Sequence, residues 1–110
     1  MRIEYISPKT IKIGENRYDE NVVVSSKGLV FDWKEKSEIQ KEEAKMLLRR
    51  NPEMVIIGKT DNSNPVSPEV KELFNRKKAV VVEENLREAI NCFNEAAKLY
   101  TTLLVVNIID

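Results

Sequence analysis

Apolar and polar positions change their period partway along the chain. Up to Trp33 they alternate in twos. Thr10 to Ile13 alternates polar and apolar, Gly14-Glu15-Asn16 carries turn chemistry, and Arg17 to Val24 reads as one strand, fully apolar at Val22, Val23 and Val24. Ser25-Ser26-Lys27-Gly28 turns the chain. Leu29, Phe31 and Trp33 then share one face of a third strand, with Val30 and Asp32 on the other, as in a sheet covered on one side. These strands predict an N-terminal β-meander, with Arg2 to Ile6 as a short added edge strand that Pro8 limits.

Beyond Trp33 the period lengthens to that of helices separated by short apolar runs. A first helix starts at Ser37, where Gln40 could complete a capping box, or later, near Lys41; Ala44, Leu47 and Leu48 form its docking stripe and Asn51-Pro52 ends it. Ser67-Pro68 opens a second, because serine caps free amides and proline at the first helical position loses no hydrogen bond; Val70, Leu73 and Phe74 make its buried face. Asn85, with Glu88 three residues on, opens a third whose stripe runs Leu86, Ala89, Ile90, Phe93, Ala97, Tyr100. Between and after them lie the apolar strands Val55 to Ile57, Ala79 to Val82 and Leu103 to Ile109. The last is apolar on both faces apart from Asn107, as a central strand should be. The order β-α-β-α-β predicts an α/β fold with a parallel or mostly parallel sheet.

Composition narrows the chemistry. At 110 residues the chain is expected to form one domain over 1–110. Eighteen cationic and eighteen acidic residues cancel, so no whole-molecule field draws it to nucleic acid or to an acidic membrane. The basic groups Arg49-Arg50 and Arg76-Lys77-Lys78 have a simpler use at helix carboxyl ends. The high Lys and Glu content suits solvated helix faces and hints at a hot habitat. Histidine is absent, which removes the commonest general base and imidazole metal ligand, and the single Cys92 cannot form an intrachain disulfide or a thiolate metal site. No metal, cofactor or catalytic set is expected. With no charged-then-apolar leader at Met1 and no run long enough to cross a bilayer, the expected address is the cytosol.

Open α/β sheets bind ligands at the carboxyl ends of their strands, and the strand at Val55 runs into the polar loop Gly58 to Pro65. Gly58-Lys59-Thr60 invites comparison with a phosphate-binding loop. The spacing refuses it: Glu53 stands where that motif needs its first glycine, and no helix follows Thr60 directly. What remains is a small anion met by Lys59 and loop amides, with Asp61 as an acid or base. Gly58, Lys59, Thr60, Asp61, Asn85 and Asn94 are the ligand-binding candidates, although Asn94 suits a structural tether better. Glu83 and Glu84 read as solvated charges, and Cys92 as a half-covered, unreactive thiol. Trp33 and Tyr18 are the partner-binding candidates, set against ordinary core packing.

The segment Asn51-Pro52-Glu53-Met54-Val55-Ile56-Ile57-Gly58, the strand Val80-Val81-Val82 and the helix signature Ala89-Ile90-Asn91-Cys92-Phe93-Asn94 follow the meander in a fixed order. In this pattern, from Ile11 onward, the chain resembles the Mth-nine-three-eight-like family of unknown function, whose relatives include a mitochondrial complex I assembly factor and an adipogenesis-associated protein. It departs from that family in following Gly58 with Lys59-Thr60 rather than a small residue and a second glycine, and in carrying Leu86 where a threonine is usual. The resemblance implies a single three-layer domain with a mixed central sheet. It also favours a non-enzymatic binding or complex-assembly module with a protein partner, and leaves room for a homo-oligomer. The alternative is a small-molecule or anion binder, or an enzyme, using Gly58 to Asn64.

Overall fold

The computed structural model describes residues 1–109. Its elements are β1 (Ile3–Ser7), β2 (Thr10–Ile13), β3 (Asn16–Tyr18), β4 (Val22–Ser25), β5 (Val30–Asp32), α1 (Lys41–Leu48), β6 (Met54–Lys59), α2 (Pro68–Arg76), β7 (Val80–Asn85), α3 (Leu86–Ala96) and β8 (Thr102–Asn107). β1-β2-β3 is an antiparallel meander, and the second sheet has the order β5-β4-β8-β6-β7. β6, β7 and β8 run parallel, whereas β4 pairs antiparallel with both β5 and β8. The architecture is therefore α/β with a mixed central sheet, an N-terminal meander and three helices, as expected.

β8 lies at the centre of the sheet, which explains its nearly unbroken apolar run. Leu104 and Val106 enter a cluster with Ile56, Ile90 and Phe93 of the α3 face, while Leu103 and Val105 enter another with Leu47, Ile57 and Phe74 of the α1–α2 face. The meander packs on the α3 side, where Ile3 and Ile11 join the first cluster. Asn94 ties it down: its Oδ1 accepts the Ile3 N–H and its Nδ2 donates to the Ile3 carbonyl, both at 2.9 Å. Asn107, the polar residue that closes β8, is equally occupied. Its Oδ1 accepts from the Trp33 indole at 3.1 Å and from the Lys36 N–H at 2.9 Å, and its Nδ2 donates to the Lys36 carbonyl.

Two helix starts follow their sequence signals. Ser67 Oγ accepts the Val70 N–H at 3.3 Å, and Asn85 Oδ1 accepts the Glu88 N–H at 2.9 Å. Of the two starts open to α1, the later one is adopted, with Gln40 as cap and its N–H donating to Glu43 Oε1 at 2.7 Å.

Three expectations need correction. Arg17 to Val24 is two strands in two sheets, because the chain crosses between them at Asp19-Glu20-Asn21. There Asp19 accepts from the Thr10 hydroxyl at 2.8 Å, and the Asn21 amide brackets the backbone N–H and carbonyl of Ile108 at 3.0 Å each. The meander therefore consists of β1, β2 and β3, with β4 and β5 belonging to the main sheet. β5 is also covered on both faces, since Val30 packs with the α3-side cluster and Phe31 with the other, while Leu29 precedes the strand and is exposed. Finally, α3 ends at Ala96, so Tyr100 falls beyond its stripe and is exposed.

Candidate functional site

The carboxyl ends of β6 and β7, the start of α3 and the β1–β2 turn enclose an open cleft of about 490 Å³. It is lined by Tyr5, Pro8, Lys59, Thr60, Asp61, Asn85, Leu86, Arg87, Glu88 and Ile108. Four of the six ligand-binding candidates, Lys59, Thr60, Asp61 and Asn85, thus meet on one concave surface. This follows from topology: parallel strands send their loops to the same end of the sheet.

Most polar groups here already have partners. Lys59 Nζ lies 2.9 Å from Glu83 Oε1, with both side chains largely covered. Glu83 also accepts the Val66 N–H at 2.9 Å, and Lys71 Nζ stands 4.0 Å from its second oxygen. Glu83 is therefore not a solvated charge but the fastening of the loop after β6. Strand alternation explains the pair: Ile57 is in register with Glu83, so Lys59 is its diagonal neighbour on the α1–α2 face. The loop is tied again by the Ser63 hydroxyl donating to the Thr60 carbonyl at 2.9 Å and by the Asn64 N–H donating to the Ser37 carbonyl at 2.8 Å. Thr60 Oγ1 donates to the Ile109 carbonyl at 3.4 Å, and the Asn85 side chain caps α3. Arg87 lies over the Tyr5 ring, 4.5 Å from its centroid. Two cations and two acids line the cleft, so charge alone does not select an anion.

Gly58 and Asn94 do not join this surface. A Cβ on Gly58 would stand 3.0 Å from Leu86 Cδ1 and 3.2 Å from Ala89 Cβ, so the missing side chain serves the close approach of α3 to β6. Asn94 is spent on Ile3. Cys92 is half-buried, and burial, reinforced by the Glu84 carboxylate, pushes its thiol up from the ordinary value. Trp33 is buried with its indole N–H bonded to Asn107, and Tyr18 packs against the α3-side cluster; the exposed aromatic of this fold is Tyr100 instead. Among the described residues, no three metal-ligating side chains gather in one place.

The opposite end of the sheet is different in kind. Leu29 is 53% exposed, Val80 54%, Leu99 76% and Tyr100 47%. Backbone bonds lace their segments together. Ser26 N–H donates to the Thr102 carbonyl at 2.8 Å, Glu53 N–H to the Thr101 carbonyl at 2.8 Å, and Val80 N–H to the Glu53 carbonyl at 3.0 Å. Sequence reasoning missed this face because Leu29 and Tyr100 fit inward stripes. Leu99, which fits none, was the available signal.

The fold recurs in solved structures. A conserved hypothetical protein from Pyrococcus horikoshii OT3 matches with a TM-score of 0.83 at 19% identity, covering 97% of this chain and 98% of that one. A protein from Xanthomonas campestris matches with a TM-score of 0.79 at 15% identity, covering 96% and 82%. MT938 matches with a TM-score of 0.72 at 19% identity, covering 96% of each chain. These identities establish a shared fold and nothing finer. No curated protein matches the chain. At the level of sequence, residues 3–100 match the family described as protein of unknown function DUF498/DUF598. With that match spanning most of its length, the chain belongs to the DUF498/DUF598 family, and its fold is that of MT938.

Proposed function

We propose that this protein is a docking or complex-assembly module working in the cytosol, and that it meets its protein partner with the end of the sheet where β6, β7 and β8 begin. The observation that carries the reading is that Leu29, Val80, Leu99 and Tyr100, each about half exposed or more, all lie at this end of the sheet, spread from the β5 edge to the β7 edge. Several large apolar side chains exposed at one end of a small fold are costly to leave in water and suit an interaction surface. The resemblance to a family with an assembly-factor member points the same way. The test is a photo-crosslinker placed at Leu99, and separately at Asp61, in the native cell. A discrete protein adduct from position 99 alone is expected. An adduct only from position 61, or substrate turnover abolished by replacing Lys59 or Asp61, overturns the reading.

A second reading rests on the convergence of Lys59, Thr60, Asp61 and Asn85 on the 490 Å³ cleft. It takes the cleft as a pocket for a small molecule or anion. Soaking crystals in phosphate, sulfate and a metabolite mixture tests it: density against Thr60 and Asp61 supports a ligand role, and an empty cleft refutes it.

A further inference from the structure

We infer that the partner surface recognised at the amino ends of the parallel strands is acidic as well as apolar; this rests on the docking reading above and specifies its chemistry. The formal charge of zero hides an uneven distribution. α1 and α2 both run down toward the starts of β6 and β7, so they deliver Arg49, Arg50, Lys77 and Lys78 to the end that bears Val80. The β4–β5 turn brings Lys27 beside Leu29. Among the described residues, Lys27, Arg49, Lys77 and Lys78 have no ion-pair partner. The nearby acid Glu53, which accepts the Thr101 N–H at 2.9 Å, keeps its charge and offsets only one of these cations.

Lys78 adds a separate indication. It holds φ at +59°, which glycine adopts without strain and which commonly closes a helix. A lysine there brings a cation to this face against the backbone's preference. Exposed apolar groups sharing one end of the sheet with unpaired cations complement a protein surface of leucine- or phenylalanine-like anchors set among carboxylates. A bilayer is the less suitable occupant. Apart from Leu99, the apolar side chains keep about half their surface against their own fold, giving a shallow face rather than an inserting wedge.

The experiment is a titration of the 15N-labelled protein, read amide by amide. The probes are a synthetic peptide of glutamate and leucine, its lysine and leucine counterpart, polyglutamate, and phosphatidylserine vesicles. The glutamate–leucine peptide is expected to move the amides of residues 27–29, 77–80 and 98–101, more weakly in high salt. Each cation removed is expected to weaken binding about two- to fivefold, the range of single exposed ion pairs. Lys78→Gly is the decisive variant: it relieves the backbone and is expected to leave the fold as stable or more so, yet to weaken the peptide. Equal or tighter binding of the lysine–leucine peptide at these amides overturns the acidic partner and leaves the docking face standing. No response there to any peptide, a response to vesicles alone, or self-association of the chain through these amides overturns the inference.

Discussion

Gly58→Ala is expected to destabilise the fold even though the backbone at that position is open to any residue. Gly58 does not lie in the left-handed region. Conformational entropy alone would therefore favour alanine by about 0.4–1 kcal/mol, through fewer states of the unfolded chain. Against this stands the close seat of α3. The new methyl would meet Leu86 Cδ1 at 3.0 Å, Ala89 Cβ at 3.2 Å and Leu86 Cα at 3.4 Å. The first could swing away in principle, but Leu86 is buried, and the other two move only if the helix does. Overpacking of this kind costs about 1–3 kcal/mol, so the net loss is about 1.3 kcal/mol at mid-range and about 2.6 kcal/mol at most. For a domain near this size the mid-range loss corresponds to a melting point lower by roughly 3–10 °C. Urea unfolding should show the loss as a lower midpoint at an unchanged m-value. In a Leu86→Ala background, where the nearest atom is gone, the same substitution should cost less, by a coupling of about 0.5 kcal/mol or more. A neutral or stabilising Gly58→Ala would refute the argument, because it would mean that α3 slides freely on β6.

Glu83→Gln should loosen the loop after β6 at a cost of about 1–3 kcal/mol, leaving Lys59 partly covered without its counter-charge; unchanged hydrogen exchange at the Val66 amide would contradict this. Asn94→Ala removes both bonds to Ile3 and should cost about 2–3 kcal/mol, with β1 exchanging ahead of β2; protection of the Ile3 amide equal to that of the parent would count against it. The Cys92 thiol, pushed up by burial and then by Glu84, keeps its proton in the fold at a pH where the unfolded chain releases it. Its contribution to stability is therefore full below the free-thiol value and lost as the pH climbs through the folded one. Iodoacetamide alkylation should accordingly show a midpoint more alkaline in the folded protein than in urea, and coincident midpoints would exclude the effect.

What could be read from the chain was what is local. Ser67-Pro68 and Asn85 with Glu88 declare helix starts because the caps and the amides they satisfy lie within one turn. The central position of β8 is written in its apolar run, since each side chain must face one helical layer or the other. The break inside Arg17 to Val24 is not local. Its cause is Asn21 bonding to Ile108 across 87 positions, and nothing near Asn21 announces that. Glu83 and Glu84 look alike as neighbours. They part only once alternation sends Glu83 toward Lys59, a strand pairing 24 residues away. The cleft was legible as the end of β6, but the commitment of its lysine to Glu83 was not, and neither was the apolar face at the other end, which several distant segments assemble together.

The central place of β8 also orders the events of folding. The strand that joins the β4–β5 hairpin to the β6–β7 pair comes after both in the chain, so until it emerges two half-sheets each show an unpaired inner edge. Ile3 likewise waits for Asn94, 91 positions on. A chain still being made, or cut short before Thr102, would present two sticky strand edges and an unmoored first strand at once, the condition in which nascent proteins most readily pair with the wrong neighbour.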